Sequence, residues 1–165
     1  MKLCLKDAYA SSSYNKTFDY VIDESEFLSL PAILASDAVS VTVTVSSSGG
    51  EVFCGMRIVA DFVVPCSRCL KEFELHFDSD TQKPVLKDDG LYDEDAVYLD
   101  RSLCFDVIDE AFARISFEFP MAPRCSEDCK GLCPVCGCDL NVQSCTCDIR
   151  TVDPRLAVLK KLIDK

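Results

Sequence analysis

The residues with the clearest capacity for chemistry are cysteines, and most of the chain's twelve lie between Cys125 and Cys147. At the centre of this segment, Cys133 to Gly137 reads CPVCG, which is the spacing of a metal-binding knuckle. Two thiolates three residues apart can face one ion, and the following glycine permits the positive φ that turns backbone amides toward the sulfurs. Cys145 and Cys147 follow after a short loop. The pattern C-x2-C-x8-C-x-C therefore supplies enough sulfur for one tetrahedral zinc site.

Eight cysteines come in pairs with the spacing of metal ligands, and we divide the pairs into two tetrads. The first tetrad is Cys66, Cys69, Cys125 and Cys129; the second tetrad is Cys133, Cys136, Cys145 and Cys147. Closing the chain between the two halves of the first tetrad costs roughly 3.5 kcal/mol, whereas a structural zinc supplies an apparent ~10–16 kcal/mol. We therefore predict two structural Zn²⁺ ions, the first of which ties the two regions of the chain together.

A rival grouping places Cys125, Cys129, Cys133 and Cys136 around one ion. It leaves the two outer pairs without obvious partners, so we prefer the tetrads above. Of the remaining cysteines, Cys4, Cys54 and Cys104 are isolated in sequence and are predicted to be small buried apolar residues. Cys138 could substitute as a ligand or be a free thiol. Because no export signal is visible, we expect a reducing compartment and thiols that serve metal rather than a disulfide framework.

Charge restricts the possible partners. The chain has a net charge of −11 and a pI near 4.4, and four thiolates on each of two zinc ions would take the charge to about −15. Tight binding to nucleic acid normally needs a basic face, because phosphate contacts supply much of the affinity. A basic protein partner is easier to justify. No apolar run is long enough to span a bilayer, so no membrane partner is expected.

Hydrophobic alternation predicts three consecutive strands, at residues 39–45, 51–64 and 70–77, joined by a loop at 46–50 and the turn at Cys66–Cys69. Weaker sequence signals predict an edge strand at residues 17–22 and a short strand at residues 97–99. The apolar spacing from Cys104 to Ile115 predicts one amphipathic helix. The acidic stretch 78–100 is otherwise read as a solvated loop. Residues 117–119 are predicted to be a strand, residues 24–30 a helical turn, and the residues after Asp153 a terminal helix.

These elements predict an α+β fold, an antiparallel β meander packed by one amphipathic helix. Residues 1–120 would form the sheet and helix, and residues 121–165 a cysteine-rich, zinc-ribbon-like module within the same compact unit.

The known catalytic patterns do not fit. A zinc deaminase needs H-x-E before its P-C-x-x-C, but the single histidine, His76, follows the run that starts at Pro65. A thiol-redox enzyme would use one exposed C-x-x-C, whereas here the C-x-x-C pairs are accompanied by further thiols. Carboxylates are abundant, but none forms a distinct catalytic pair. We therefore expect neither an enzyme nor a small-molecule substrate.

In combination, the motifs resemble a known family. The run CSRCLKEF from Cys66, an acidic stretch, an amphipathic helix ending at Phe119-Pro120, CSEDCKGLCPVCGCDLN from Cys125, and the closing Cys145-Thr146-Cys147 are similar to the YceD family of large ribosomal RNA subunit accumulation proteins. The resemblance covers about residues 40–162. Cys138 departs from it, since the family usually has another residue there.

The resemblance implies a cytoplasmic, non-enzymatic factor that supports accumulation of large-subunit rRNA and hence ribosome biogenesis. Its partner would be a ribosomal protein or the pre-ribosomal large subunit. The alternative is a zinc-ribbon protein that binds nucleic acid directly through a basic tail: Arg150, Arg155, Lys160, Lys161 and Lys165. Salt dependence of RNA affinity would separate the two hypotheses.

Overall fold

The structure is a computed structural model, which describes residues 1–11, 13–23, 33–87 and 95–147. The strands are β1 (Lys2–Cys4), β2 (Ser13–Ile22), β3 (Ala35–Ser36), β4 (Val39–Ser48), β5 (Glu51–Pro65), β6 (Glu72–Lys87), β7 (Val97–Leu99) and β8 (Cys104–Asp106). The helices are α1 (Lys6–Ala10) and α2 (Val107–Glu118). The main sheet has the order β2-β4-β5-β6-β7, with β3 paired to β5.

The three predicted consecutive strands are β4, β5 and β6, which form the antiparallel meander. Their alternation places one parity on the core face, where Val43, Ile58 and Phe62 are fully buried. The predicted loop at 46–50 is wrong, because β4 and β5 stay paired to Ser48 and Glu51. Only Gly49 and Gly50 form the turn, and both have the positive φ that a two-residue hairpin needs.

The sheet extends farther than predicted. β6 continues to Lys87 through residues expected to be loop, because its core-facing parity includes Phe77 and Val85, which are buried. The strand predicted at 97–99 is β7, but it pairs in parallel with β6, so the sheet is mixed. The predicted edge strand is β2, which begins earlier than expected, at Ser13.

A second, two-stranded sheet joins the N-terminus to the start of α2. In it Cys4 lies directly opposite Cys104, and the two form a disulfide. The prediction that both are isolated is therefore wrong, since pairing of β1 with β8 makes them neighbours. The predicted burial is wrong for Cys4, which is exposed, and is confirmed for Cys104. Cys54, by contrast, is a buried free thiol as predicted.

The predicted helix is α2, but it begins at Val107 rather than Cys104, which lies in β8. Asp106 is the N-cap, and its carboxylate accepts from the N–H of Ile108 at 2.9 Å. The predicted strand at 117–119 is wrong, because Phe117 is within α2 and Phe119 is its extended C-cap. The short helix α1 was not predicted; its Ala8 is buried in the core.

The architecture is thus α+β, and the described residues contain a short helix, α1, in addition to the predicted amphipathic helix α2. The helical turn predicted at 24–30 and the terminal helix after Asp153 lie outside the described residues. The division of the chain at residues 120 and 121 stays a prediction. Within the described ranges, no helix is both long and apolar enough to cross a bilayer.

Candidate metal centres

The first tetrad forms where the turn between β5 and β6 meets the cysteine-rich segment. The Sγ atoms of Cys66 and Cys129 are 3.8 Å apart, and those of Cys69 and Cys125 are 3.7 Å apart. All four sulfurs lie within 4.8 Å of one another. In a regular zinc tetrathiolate with Zn–S bonds near 2.3 Å, the sulfurs are about 3.8 Å apart. The four residues therefore fit a zinc ion.

This tetrad is enclosed by protein. Cys66, Cys69 and Cys129 are buried, and Cys125 is partly buried. Phe73 and Leu132 pack against the buried sulfur residues. Because a closed thiolate shell leaves no position for a reacting water, the chemistry available here is structural rather than catalytic.

Backbone and side-chain hydrogen bonds hold the two halves of the first tetrad together. The N–H of Ser67 donates to the carbonyl of Pro123 at 2.8 Å, and the N–H of Leu132 donates to the carbonyl of Arg68 at 3.1 Å. The guanidinium of Arg68 also donates to the carbonyl of Cys129 at 2.7 Å. The Cys66–Cys69 turn is therefore bonded on both sides by residues more than fifty positions farther along the chain.

Gly131 is required by this close approach. Its φ is +76°, and a Cβ at this position would lie 3.0 Å from the carbonyl oxygen of Arg68, which is backbone and cannot rotate away. Only glycine combines this backbone conformation with this distance.

Gly131→Ala is expected to destabilise the protein by more than the ~1–2 kcal/mol that a left-handed backbone conformation costs by itself. It should also speed the loss of zinc from the first tetrad to a chelator. Gly49→Ala is the matched control, since Gly49 has a φ of +64° and nothing near its Cβ position. Urea unfolding and chelator kinetics would measure both effects, and equal losses in the two variants would contradict the proposed contact.

The second tetrad is local and more open. Cys145 lies 3.5 Å from Cys136 and 3.5 Å from Cys133, measured between Sγ atoms. Its four sulfurs also lie within 4.8 Å of one another, so they too could hold a metal ion. Cys133 is buried, but Cys136 is exposed, and Cys145 and Cys147 are partly exposed. Solvent therefore reaches this tetrad more readily than the first.

The two C-x-x-C turns have matching hydrogen bonds. The N–H of Leu70 donates to the carbonyl of Cys66 at 2.9 Å, and the N–H of Gly137 donates to that of Cys133 at 2.8 Å. In each turn an amide two residues after the first cysteine points at its sulfur, at 3.5 Å from Arg68 and 3.4 Å from Val135. Such N–H donors orient the sulfurs and stabilise their negative charge.

These donors change the ionisation of the thiols. Burial by itself would raise the pKa of the Cys66 thiol, but the N–H groups of Cys125, Cys69 and Arg68 outweigh it and lower that pKa to about 6. The N–H of Cys138 is the main cause that lowers the pKa of Cys136 to about 6. Each tetrad therefore contains a cysteine that is ionised at neutral pH and available to a cation.

Other members of the tetrads hold their protons. Burial raises the pKa of Cys125 to about 12, and the neighbouring Cys145 side chain raises that of Cys147 to about 12. Thiolates held this close repel one another unless a cation is placed between them. A metal ion would replace these protons, so binding should release protons and become tighter as pH rises.

Two residues that sequence reasoning did not identify support the tetrads. The Asn141 amide donates to Cys129 Sγ at 3.6 Å and to the Asp139 carboxylate at 2.7 Å, and its oxygen accepts the N–H of Lys130 at 2.8 Å. Asn141 therefore links the loop of the second tetrad to a sulfur of the first. Arg68 instead links the two halves of the first tetrad. The only sequence signal for either residue was its place in the family motif.

The structure does not bring together the rival grouping of Cys125 and Cys129 with Cys133 and Cys136. His76 lies on the solvent side of β6, where its Nδ1 is 2.7 Å from a carboxylate oxygen of Asp61, away from both tetrads. The basic residues of the predicted tail lie outside the described residues.

Comparison with known proteins gives one match. A family model described as "Large ribosomal RNA subunit accumulation protein YceD" matches residues 55–163, which includes both tetrads. No curated protein matches the chain. No solved structure matches it either.

Proposed function

Because the chain belongs to the YceD family, we propose that it is a non-enzymatic cytoplasmic factor that supports accumulation of large-subunit rRNA and thus ribosome biogenesis. The match over residues 55–163 is the observation that carries this proposal. We further propose that each tetrad holds one structural Zn²⁺, because thiolate tetrahedra suit zinc and both sets of sulfurs have the required spacing. When bound, zinc would supply cross-linking and neutralise thiolate charge.

The outward face of the main sheet supports action through a basic partner. Residues that are cross-strand neighbours share a face, and here carboxylates accumulate along β6 and its neighbours. The acidic face comprises Asp19, Asp61, Glu72, Glu74, Asp78 and Asp80. Arg57 is a basic residue on the same face, but its guanidinium already forms an ion pair with the Asp78 carboxylate at 2.9 Å. A surface of this sign attracts cationic protein and repels phosphate.

Exposed apolar side chains near the first tetrad support protein contact. Phe117 is 90% exposed, and Met121, four residues later, is fully exposed. The segment that follows Met121 is bonded to the Cys66–Cys69 turn through Pro123. Single exposed apolar residues are ordinary, but large ones on neighbouring segments are typical of interaction surfaces.

Leu70 adds a third such residue. It occupies the position that Gly137 occupies in the other C-x-x-C turn, and both have the left-handed backbone conformation, with φ of 60° and 72°. The left-handed conformation costs a leucine ~1–2 kcal/mol. The Leu70 side chain is nevertheless 66% exposed and contributes little to the core. A costly and solvent-facing leucine is better explained by contact with a partner than by the protein's own stability.

The described residues also form an acidic cleft whose lining contains no member of either tetrad. It has a volume of about 480 Å³ and is lined in part by Asp100, Asp106, Asp109 and Glu110. The backbone N–H of Cys104 is the main cause that lowers the pKa of Asp100, and the α-amino group of Met1 is the main cause for Asp106. Asp100 and Asp106 are held ionised by the fold, so neither is suited to act as a general acid near neutral pH.

The proposal is tested by the ratio of large- to small-subunit rRNA in cells that lack the protein. We expect a reduced ratio that the wild-type protein restores. The double variant Glu72→Lys and Glu74→Lys, which reverses charge on the acidic face, should restore it poorly while folding normally. The control is Asp7→Lys with Asp109→Lys, which makes the same change in charge at exposed positions in the two helices, away from the acidic face. An unchanged ratio in cells without the protein would overturn the proposed function.

Binding measurements separate the protein partner from direct RNA binding. We expect association with purified basic proteins of the large subunit at moderate salt, and weak affinity for large-subunit rRNA. High RNA affinity that falls steeply with salt, and that is lost when the basic residues between Arg150 and Lys165 are replaced, would instead favour the nucleic-acid-binding alternative.

A further inference from the structure

The two sides of β6 are paired very unequally. β5 pairs with it from Glu72 to Pro84, whereas β7 pairs with it only from Val85 to Lys87. Within the described part of the chain, residues 72–84 therefore have no strand on the side away from β5. We call this side the open edge of β6. The backbone groups along such an edge need a hydrogen-bond partner, which is either water or another chain.

Hydrogen bonds near the end of β5 show which backbone groups face the open edge. The N–H of Leu34 donates to the carbonyl of Val63 at 2.9 Å, so the odd-numbered residues of β5 bond toward β3. The even-numbered ones therefore bond toward β6, and the N–H of Cys66 accordingly donates to the carbonyl of Lys71 at 2.9 Å. Even-numbered residues of β5 lie opposite odd-numbered residues of β6. The backbone groups of the even-numbered residues of β6 thus point to the open edge.

The residues that direct their backbone groups to the open edge are all exposed. They are Glu72, Glu74, His76, Asp78, Asp80 and Gln82. Within the described residues, no backbone hydrogen bond beyond those of the sheet reaches them. Pro84 has the same parity, and proline is tolerated there because its missing N–H would point to the open edge rather than to β5.

The edge on the other side of the main sheet, β2, differs from β6 in its charge. Lys16 of β2 lies opposite Val45, which is buried, so a lysine occupies the core-facing parity of this edge strand. An inward-pointing charge of this kind opposes the addition of a further strand. From Phe73 to Thr81, the core-facing parity of β6 has no charged residue. Of the two edges, β6 is therefore the one suited to accept a strand.

The side chains at the open edge favour a cationic strand. Glu72 and Glu74 are exposed, and neither forms an ion pair with another described residue. Side chains directly opposite each other on paired strands are about 5 Å apart, so like charges there are destabilising and opposite charges are stabilising. Pairing with the same edge of a second copy would bring carboxylates together. Lysine or arginine at alternate positions of an added strand would instead neutralise them.

We propose that the open edge of β6 binds an extended basic segment of a partner protein, which adds to the main sheet as a further strand. Lysine or arginine side chains of one parity lie beside Glu72 and Glu74, and apolar side chains of the other parity lie beside Leu75. This inference rests on the part of the proposed function in which the protein acts through a basic protein partner, and it specifies how that partner is held.

The first test uses a fluorescent synthetic peptide in which lysine and valine alternate, titrated with the zinc-loaded full-length protein at moderate salt. Two further peptides carry backbone N-methyl groups, one on every lysine and the other on every valine, so all three have the same net charge. Because the N–H groups of alternate residues point to opposite sides of a strand, only one of the methylated peptides should lose affinity, by at least about tenfold. Which of them loses it distinguishes antiparallel from parallel addition.

The second test changes the open edge itself. His76→Pro should weaken binding of the unmodified peptide at least about fivefold, because it removes an N–H from the middle of the open edge and leaves the pairing with β5 intact. The control is His76→Ala, which likewise loses the 2.7 Å contact between His76 and Asp61 but keeps the N–H. Urea unfolding checks that both variants remain folded, and the methylated peptides test the wild-type protein should His76→Pro fail to fold.

Amide exchange measured by NMR needs no variant. In the free protein, the N–H groups of Glu74, His76 and Asp78 should exchange with solvent faster than those of Leu75 and Phe77, which bond to β5. The unmodified peptide should slow exchange of the first three at least about tenfold.

Three results would overturn the proposal: no binding of the unmodified peptide, equal affinity of all three peptides, or unchanged exchange along β6 in the complex. Equal affinities would show attraction between charges without strand addition. The rRNA ratio in cells that lack the protein is a separate measurement. A reduced ratio together with any of these three results would leave the proposed function standing and reject only this mode of binding.

Discussion

Replacing Cys66 with serine is expected to remove one of two bound zinc ions and to disrupt the junction between the sheet and the cysteine-rich segment. Cys66 is fully buried. The two halves of the tetrad that it helps to join are far apart in the chain, since Cys69 and Cys125 are separated by 56 positions. A structural zinc contributes an apparent ~10–16 kcal/mol, and this contribution is lost when the ion is lost. Since whole domains are stable by ~5–15 kcal/mol, a large fraction of the protein should unfold.

Cys145→Ser is the matched comparison for this result. It removes one thiolate from the second tetrad, whose ligands all lie within residues 133–147 and do not contact the sheet through a sulfur. We expect the loss of one zinc equivalent with the unfolding transition of the sheet nearly unchanged. Elemental analysis with circular dichroism during urea unfolding would measure both. Full metal content in Cys66→Ser would show that the first tetrad does not join the two regions.

Phe62→Ala should be the most damaging substitution outside the cysteines. Phe62 is completely buried on β5, and its ring is 6.1 Å from that of Phe77 and 5.8 Å from that of Phe119, both in edge-to-face geometry. Phe119 is the C-cap of α2, in the segment that leads to the cysteines. Removing the ring should lower the free energy of unfolding by about 3–5 kcal/mol, because the cavity is surrounded by fixed strands.

The loss in free energy of unfolding should depend on which face of β5 the replaced side chain occupies. Phe53 lies on the same strand with the opposite parity and is only partly buried, so Phe53→Ala should cost less than half as much. Urea unfolding of the two variants gives the comparison directly. Because Phe119 would lose its contact, Phe62→Ala should also release zinc from the first tetrad to a chelator faster than Phe53→Ala. Equal losses from the two faces would contradict the core assignment.

Patterns repeated over many residues were sufficient to predict the central strands. The alternation in β4 and β5 specified both the strands and their buried face, since period-two burial leaves few other arrangements. The errors occurred where the local pattern was ambiguous. The acidic outer parity of β6 resembled a loop, although its inner parity continued to Val85, and Cys104 matched a helical stripe while lying in β8.

The disulfide shows why some features could not be predicted. Cys4 and Cys104 are 100 residues apart, and neither has a neighbouring cysteine that suggests a partner. They meet because β1 pairs with β8, and both of those strands are only three residues long. Strands that short carry almost no periodic signal, so their pairing depends on the surrounding fold.

The sequence by itself determined that this protein has two sets of four cysteines suited to metal, an acidic surface and a sheet with one buried face, because spacing, charge and alternation are local properties of the chain. Only the tertiary structure decided that Cys66 and Cys69 meet Cys125 and Cys129, that Arg68 and Gly131 form that contact, and that the Cys138 carbonyl is bonded to the C-x-x-C turn of the more open tetrad. The physical reason is that these relations depend on distances between segments far apart in sequence, which the packing of the sheet against the cysteine-rich segment sets.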